Sequence, residues 1–184
     1  IDKTKAYNLA KALKKKGIIK SIKGYFVLKD TDDFVVASDI NWPSYISFWS
    51  ALNYYGLSDQ MPRKIFIATT KYSKDVANFK FITISKNRFF GYQKVSNIVI
   101  AEKEKAIIDS LLFPKYAGGI KEVIKSIKSK WNEINFDKLI SYAVKVNSKS
   151  VLRRLGFILE SLKYKGKKLR VINKRIGKGY ELFD

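Results

Sequence analysis

The sequence predicts an α+β protein, with an N-terminal winged helix followed by a mixed α/β domain whose C-terminal part is helical. Three observations predict this class. Helix-type and strand-type apolar patterns follow one another along the chain, 46% of the residues are hydrophobic, and the basic residues concentrate at the two ends. A chain of 184 residues with this content is long enough to form one hydrophobic core.

Residues 2–16 have the pattern of an amphipathic helix that ends at Gly17. Its apolar residues recur at intervals of three and four and form one stripe: Ala6, Leu9, Ala10 and Leu13. The polar and basic side chains on the rest of the helix are candidates for contact with DNA: Thr4, Lys5, Tyr7, Asn8, Lys11 and Lys15. Amide and hydroxyl groups can read base edges and lysines can bind phosphates, so this face suits a recognition helix.

Residues 18–29, IIKSIKGYFVLK, have the pattern of two short strands joined by a tight turn at Lys23-Gly24. A helix, a glycine and a basic hairpin form the second half of a winged helix, in which the hairpin lies on the DNA backbone. Lys20, Lys23 and Tyr25 are the candidate contacts of this wing. The two helices that usually precede a recognition helix would lie before Ile1. A Lys-rich helix followed by an ordinary hairpin has the same pattern, so the winged helix is one of two interpretations.

Residues 30–43 are acidic and rich in turn-forming residues, and we expect them to be a linker. The expected division is therefore a partial winged helix at 1–29, the linker, and a mixed α/β domain at 44–184. This domain would begin with a helix at 44–55, whose aromatic residues cover nearly its whole circumference. Such a helix belongs in a core. A platform for stacking bases would carry basic neighbours, and no Lys or Arg lies between Asp30 and Pro62.

The remaining elements follow from short apolar runs and from amphipathic periods. Strands are predicted at 64–69, 79–85, 88–92 and 96–100, and helices at 102–113, 119–130, 136–146 and 149–163. A basic tail would end in a short strand at 178–183.

The formal net charge of +21 predicts a polyanionic partner, and nucleic acid is the first candidate. Residues 1–29 carry nine lysines and one aspartate, and residues 163–184 carry eight basic and two acidic residues. No apolar run approaches the length of about 18 residues that would span a bilayer, and no signal-peptide pattern opens the chain. We therefore expect a cytoplasmic protein without a membrane partner.

The chain has no cysteine and no histidine, which excludes disulfides, thiol nucleophiles, Cys/His zinc sites and histidine general bases. No acidic residue has a lysine two positions later, as the metal-dependent restriction-type nucleases require. We expect no catalytic residue, no metal and no cofactor.

Glu102, Glu104 and Asp109 are the carboxylates that an enzyme could use, as a metal site or a general acid. The structural interpretation is that the two glutamates suit a helix N-terminus and pair with Lys103 or Lys105, while Asp109 pairs with Lys105 four residues earlier. An enzyme that uses Ser, Lys or Tyr without histidine is the remaining catalytic alternative, and it would depend on Lys105 or Asp109.

Arg153 and Arg154 lie beside the apolar stripe of the predicted helix at 149–163. This pair is the candidate partner-binding site, for a phosphate, an RNA or an acidic protein. The alternative is a solvated flank of the helix, or an intramolecular pair with Glu160 or with a core carboxylate.

Four segments occur in order: GIIKSIKGYFVL, YISFWSALNYYGLSDQMPRKIFIAT, IVIAEKEKAIIDSLLFP and VLRRLGFILESL. Together they resemble the AbiEi-type antitoxin family, the transcriptional regulators of abortive-infection type IV toxin–antitoxin systems. The resemblance runs from about Ala6 to Leu162.

This resemblance implies a winged helix that binds inverted repeats in its own promoter as double-stranded DNA, with a homodimer on DNA as one expected form. It also implies a C-terminal domain that neutralises a cognate nucleotidyltransferase-type toxin, through the toxin or through its RNA substrate, in defence against viruses. The alternative is an RNA- or tRNA-binding protein that uses its basic C-terminal part.

Overall fold

The computed structural model describes residues 2–166 and 169–176 of the chain. Within these residues the fold is mixed, which confirms the α+β class. The helices are α1 (Lys3–Lys15), α2 (Asp33–Asp39), α3 (Phe48–Tyr54), α4 (Lys103–Leu112), α5 (Ile120–Ser129), α6 (Phe136–Val146), α7 (Lys149–Ser161) and α8 (Leu169–Ile176). The strands are β1 (Ile19–Ile22), β2 (Tyr25–Leu28), β3 (Ser44–Ile46), β4 (Ile65–Thr69), β5 (Lys74–Val76), β6 (Phe79–Thr83), β7 (Tyr92–Val95) and β8 (Ile98–Ala101).

Two sheets are present in this part of the chain. β1 and β2 form an antiparallel hairpin, and the other strands form a six-stranded sheet in the order β5-β6-β4-β3-β8-β7. The β3–β8 and β4–β6 pairs are parallel, and the other pairs are antiparallel. Strands that are distant in sequence therefore lie side by side, which places β3 at the centre of the sheet.

The hydrophobic core lies between this sheet and the helices. α2 packs on β3, β4 and β8, while α3 and α4 pack on each other and on the sheet. α4 also contacts α5, α6 and α7, and every residue from 104 to 111 is buried. α4 is therefore the central element, and it joins the sheet to the C-terminal helices.

The helix predicted at 44–55 is wrong over its first residues, because residues 44–46 form β3 and the helix begins at Phe48. β3 has only three residues, too few to show the alternation of a strand, and Tyr45 and Ile46 also fit the apolar pattern of the helix that follows. The expected burial is confirmed for most of the stretch, since Tyr45, Phe48 and Leu52 have no exposed surface. Tyr54 is the exception, and 44% of it is exposed.

The segment predicted as a linker, 30–43, contains α2, and this is a second correction. The Asp32 side chain accepts a hydrogen bond from the Phe34 backbone N–H at 2.7 Å and so caps the helix. Val36, Ala37 and Ile40 are buried in the core. The acidic residues that suggested a linker are the N-terminal cap and first turn of a helix, where negative charge is favourable.

The other helices and the strands predicted at 64–69, 79–85 and 96–100 are present, with bounds that differ by at most two residues. The strand predicted at 88–92 is wrong, because β7 begins only at Tyr92. β5 and α8 were not predicted; β5 is short, and α8 lies in a segment that composition marks as a basic tail. The strand predicted at 178–183 lies outside the described residues. In the part that the structure covers, no helix has the length and apolar character needed to cross a bilayer.

Candidate nucleic-acid interface

α1 is exposed along its whole length. None of its residues is buried, Tyr7 and Leu9 are each 61% exposed, and Leu13 is half-buried. The candidate DNA-contact residues on the helix all lie at the surface: Thr4, Lys5, Tyr7, Asn8, Lys11 and Lys15. The Asp2 carboxylate caps the helix by accepting from the Thr4 backbone N–H at 3.0 Å, and lysines occupy the last turn. Both features suit the helix dipole.

The hairpin turns at the predicted residues. Lys23 and Gly24 both have positive φ, 44° and 93°, between the paired residues Ile22 and Tyr25. A two-residue turn of this kind matches the twist of antiparallel strands, and glycine adopts its second position without strain. The turn therefore presents Lys23 at the tip of the hairpin, where the sequence placed it.

A groove of about 1000 Å³ separates α1 from the hairpin. Four of the candidate residues line its helical side: Tyr7, Asn8, Lys11 and Lys15. Ser21, Gly24 and Phe26 line the opposite side. The fold thus brings four of the helix candidates to one groove beside the hairpin, and no acidic side chain lines that groove. The other candidates lie outside its lining: Thr4, Lys5, Lys20, Lys23 and Tyr25.

Besides the packing of Ile22 and Val27 on the core, two charged side chains join the hairpin to the rest of the fold. The Lys20 ammonium lies 3.6 Å from the Asp33 carboxylate at the start of α2, and both side chains are partly exposed. An exposed pair of this kind is weak, so a phosphate can replace the carboxylate. The Lys74 ammonium of β5 lies 5.9 Å from the centre of the Tyr25 ring and 5.4 Å from that of Phe81. Lys74 therefore connects the hairpin to the edge of the large sheet.

Arg153 and Arg154 are both half-buried on α7. An Arg154 Nη1–H donates to the Leu111 carbonyl oxygen at 2.7 Å, at the C-terminal end of α4. A cation is favourable at this end of a helix. Arg154 thus has an intramolecular contact, as the alternative interpretation expected, but this contact is to the Leu111 carbonyl, which the sequence did not indicate.

A fully buried polar cluster joins β3 to α4. Lys105 forms an ion pair with Asp109, as the four-residue spacing predicted, and neither side chain has exposed surface. The Lys105 ammonium also donates to the Tyr45 hydroxyl at 2.9 Å. The Tyr45 and Ser47 hydroxyls donate to Asp109 Oδ2 at 3.0 and 2.8 Å. Burial, followed by the nearby Asp109 carboxylate, raises the pKa of Tyr45 well above its ordinary value, so this hydroxyl stays a donor.

The glutamates at the start of α4 pair with residues on α6 and not with Lys103 or Lys105 as predicted. Lys138 lies 3.0 Å from Glu102 and 3.8 Å from Glu104, and the Tyr142 hydroxyl donates to Glu102. Burial raises the pKa of Glu102. The hydrogen bonds from Tyr142 and Lys138 lower this pKa by more than burial raises it, so the carboxyl group has a pKa below its ordinary value. Among the described residues, no group of three or more carboxylates converges to hold a metal ion.

Two other groups of basic residues lie at the surface, and the second belongs to the basic C-terminal part named in the RNA-binding alternative. One is the loop between β4 and β5, where Lys71 and Lys74 flank an exposed Tyr72. The other is α8, whose Arg170, Lys174 and Arg175 are exposed. The sequence KYSK, in which two lysines flank a tyrosine, could have indicated this loop. Basic and aromatic residues often occur together on protein surfaces that bind nucleic acids.

No protein-family model matches the chain, and no curated protein matches it. Among solved structures, the crystal structure of RV2827C protein from Mycobacterium tuberculosis has a similar fold. Its TM-score is 0.66, and the match covers 96% of this chain and 71% of that chain. The sequences are 13% identical, so the similarity concerns the arrangement of helices and strands and carries no function.

Proposed function

We propose that the chain is a DNA-binding transcriptional regulator and the antitoxin of a type IV toxin–antitoxin system. One observation carries the DNA-binding part. α1 and the hairpin surround a groove in which Asn8, Lys11 and Lys15 face the solvent, and no carboxylate lines it. Lysines along the α1 side of this groove attract the DNA backbone before any specific contact forms.

The two parts of this surface would have different tasks. α1 would be the recognition helix of a winged helix, and its Thr4 and Asn8 side chains would contact base edges in the major groove. Lys23, at the tip of the hairpin, would contact phosphates in the manner of a wing. Base contacts provide sequence discrimination, whereas phosphate contacts provide affinity and orientation.

The antitoxin part of the proposal depends on the resemblance to the AbiEi-type family. The resembling segments include the hairpin, β3 with α3, β8 with α4, and α7. In this proposal the chain represses its own operon and neutralises a nucleotidyltransferase-type toxin, by contact with the toxin or with its RNA substrate. Arg153 remains a candidate for that contact.

The test of DNA binding compares Asn8→Ala with Lys23→Ala on the DNA upstream of the chain's own gene and on a shuffled duplex. Asn8→Ala should reduce the preference for the natural sequence, by a factor that corresponds to about 1–3 kcal/mol. Lys23→Ala should weaken binding to both duplexes alike. It should also reduce the slope of log affinity against log salt concentration by about 1. Fluorescence anisotropy over a series of salt concentrations measures both effects.

Lys121→Ala is the matched control, because Lys121 is an exposed lysine on α5 and outside the groove. It should bind both duplexes as the unmodified chain does. Equal affinity of the unmodified chain for natural and shuffled DNA would contradict the regulator. Structured RNA that displaces the natural duplex at matched salt would favour the RNA-binding alternative.

A further inference from the structure

We propose that the loop between β4 and β5, together with Lys74, forms a second phosphate-binding surface that extends the wing along the same DNA duplex. This inference rests on the proposed DNA-binding function. It adds Lys71, Tyr72 and Lys74 to the interface, residues that belong to the large sheet and not to the N-terminal helix and hairpin.

The loop backbone is held in place by hydroxyl groups. The Thr69 hydroxyl accepts from the Lys71 backbone N–H at 3.2 Å and donates to the Pro43 carbonyl at 2.9 Å. The Thr83 hydroxyl donates to the Lys71 carbonyl at 2.7 Å. Backbone groups on both sides of the loop are thus satisfied within the protein, so the loop needs little ordering when it binds a partner.

Ser73 completes the support on the other side of Tyr72. Its hydroxyl accepts from the Thr83 backbone N–H at 3.0 Å and lies 3.0 Å from the Thr83 hydroxyl. Between these fixed points the Tyr72 side chain projects outward and is 81% exposed. The supported loop therefore holds the Tyr72 ring at the surface, within reach of a partner. Its hydroxyl group can donate to a phosphate oxygen.

The loop adjoins the wing through Lys74. This side chain lies between the rings of Tyr25 in the hairpin and Phe81 in β6, at 5.9 and 5.4 Å from their centres. Tyr25 directly follows the turn that presents Lys23. A duplex whose phosphates reach Lys23 and Tyr25 therefore meets Lys74 and the loop next.

The acidic residue of β5 does not oppose this surface. Asp75 alternates with Lys74 along β5, so its side chain points to the opposite face of the strand. It is engaged there by the ammonium groups of Lys64 at 3.0 Å and Lys80 at 2.7 Å. The loop therefore presents positive charge and a hydroxyl group to a polyanion.

Double-stranded DNA fits this surface better than single-stranded RNA. Tyr72 is the exposed ring of the loop, whereas single-stranded nucleic acids bind along several successive rings. Lysines spaced along one edge suit the evenly spaced phosphates of a duplex. As phosphate contacts, they would raise affinity for every sequence alike and would not change the choice of sequence.

The test measures duplex binding by the double variant Lys71→Ala/Tyr72→Ala. Lys121→Ala is the control, and Lys11→Ala shows separately whether the groove between α1 and the hairpin binds the duplex. The double variant should lose affinity for natural and shuffled duplexes equally, by about fivefold to tenfold for one or two charge-assisted hydrogen bonds. Its slope of log affinity against log salt should fall by about 1. Tyr72→Phe should show the part of the loss that belongs to the hydroxyl group.

Each outcome separates this inference from the proposed function. If Lys11→Ala weakens binding while the double variant keeps the affinity and salt slope of the unmodified chain, the second surface is wrong and the groove stands. If the unmodified chain does not bind duplex DNA, both proposals fall. If the double variant loses affinity for RNA alone, the assignment to duplex DNA is overturned. An unchanged melting temperature shows that these exposed substitutions leave the fold intact.

Discussion

At the scale of the residue, Lys105 shows how a charged group can belong to a core. Its ammonium has no exposed surface and contacts Asp109 and the Tyr45 hydroxyl. Burial of a charge is expensive, and it is tolerated here because each polar atom of the cluster has a partner. Since β3 and α4 each contribute groups, the cluster also specifies how the strand and the helix fit together.

Removal of one member of this cluster should be costly. Lys105→Met leaves the Asp109 carboxylate buried without its cation, and we expect a loss of about 3–5 kcal/mol in the free energy of unfolding. Lys105→Met/Asp109→Leu should lose less than the sum of the two single substitutions, because no uncompensated charge remains. Urea unfolding measures these values.

Lys103→Met is the matched control on the same helix. Lys103 pairs at 3.0 Å with Glu133, whose side chain is 46% exposed, so the substitution should cost at most about 1 kcal/mol. A cost for Lys105→Met no larger than that of Lys103→Met would refute the structural role of the buried pair.

At the scale of the element, α1 and α2 have the same cap but different surroundings. Asp2 caps α1 and Asp32 caps α2, each by accepting from a backbone N–H two residues later. α1 has no buried residue, whereas α2 buries Val36, Ala37 and Ser38. A helix of this length is marginal when it stands alone, so α1 depends on its local signals far more than α2 does.

Loss of the two caps should therefore have different effects. Asp2→Ala should speed amide hydrogen exchange across α1 by the equivalent of about 1 kcal/mol, without a change in melting temperature. Asp32→Ala should lower the stability of the whole fold by a similar amount, because α2 is part of the core. Hydrogen exchange with mass spectrometry, together with thermal unfolding, distinguishes the two. A fall in melting temperature for Asp2→Ala would mean that α1 is coupled to the core.

At the scale of the whole molecule, the net charge of +21 is concentrated at the two ends of the chain, in residues 1–29 and 163–184. α4 packs at the centre of the part between them, and α8, whose cations are exposed, packs on α7. Under the proposed function, DNA contacts and toxin neutralisation would use separate parts of the chain. Substitutions at one surface should then leave the other activity unchanged.

This separation can be tested in cells. Expression of a nucleotidyltransferase-type toxin from the neighbouring gene should arrest growth, and the chain should restore it. Lys11→Ala/Lys23→Ala should still restore growth while it fails to repress a promoter–reporter fusion. Lys121→Ala should retain both activities. No growth rescue by the unmodified chain would contradict the antitoxin proposal and leave the DNA-binding proposal to its own test.

Much of the secondary structure was predictable because its signals are local. The apolar stripes of α6 and α7 and the turn at Lys23-Gly24 depend on residues within a few positions of one another. The candidate interface was predictable to the same extent, since Asn8, Lys11 and Lys15 lie on one face of a regular helix. The β4–β5 loop was not, because nothing near Tyr72 in the sequence shows that the β1–β2 hairpin lies beside the start of β5.

By itself, then, the sequence determined the α+β class, the bounds of the strongly periodic helices, the hairpin turn and the excess of positive charge. Only the tertiary structure decided that Tyr45 belongs to a central strand and that α2 is part of the core. It also decided that the Lys105–Asp109 pair is buried and hydrogen-bonded to the Tyr45 and Ser47 hydroxyls. The physical reason is that helix periodicity and turns depend on residues that are close together in the sequence. Strand pairing, by contrast, joins residues as distant as Ile46 and Ile100, and burial follows from that pairing.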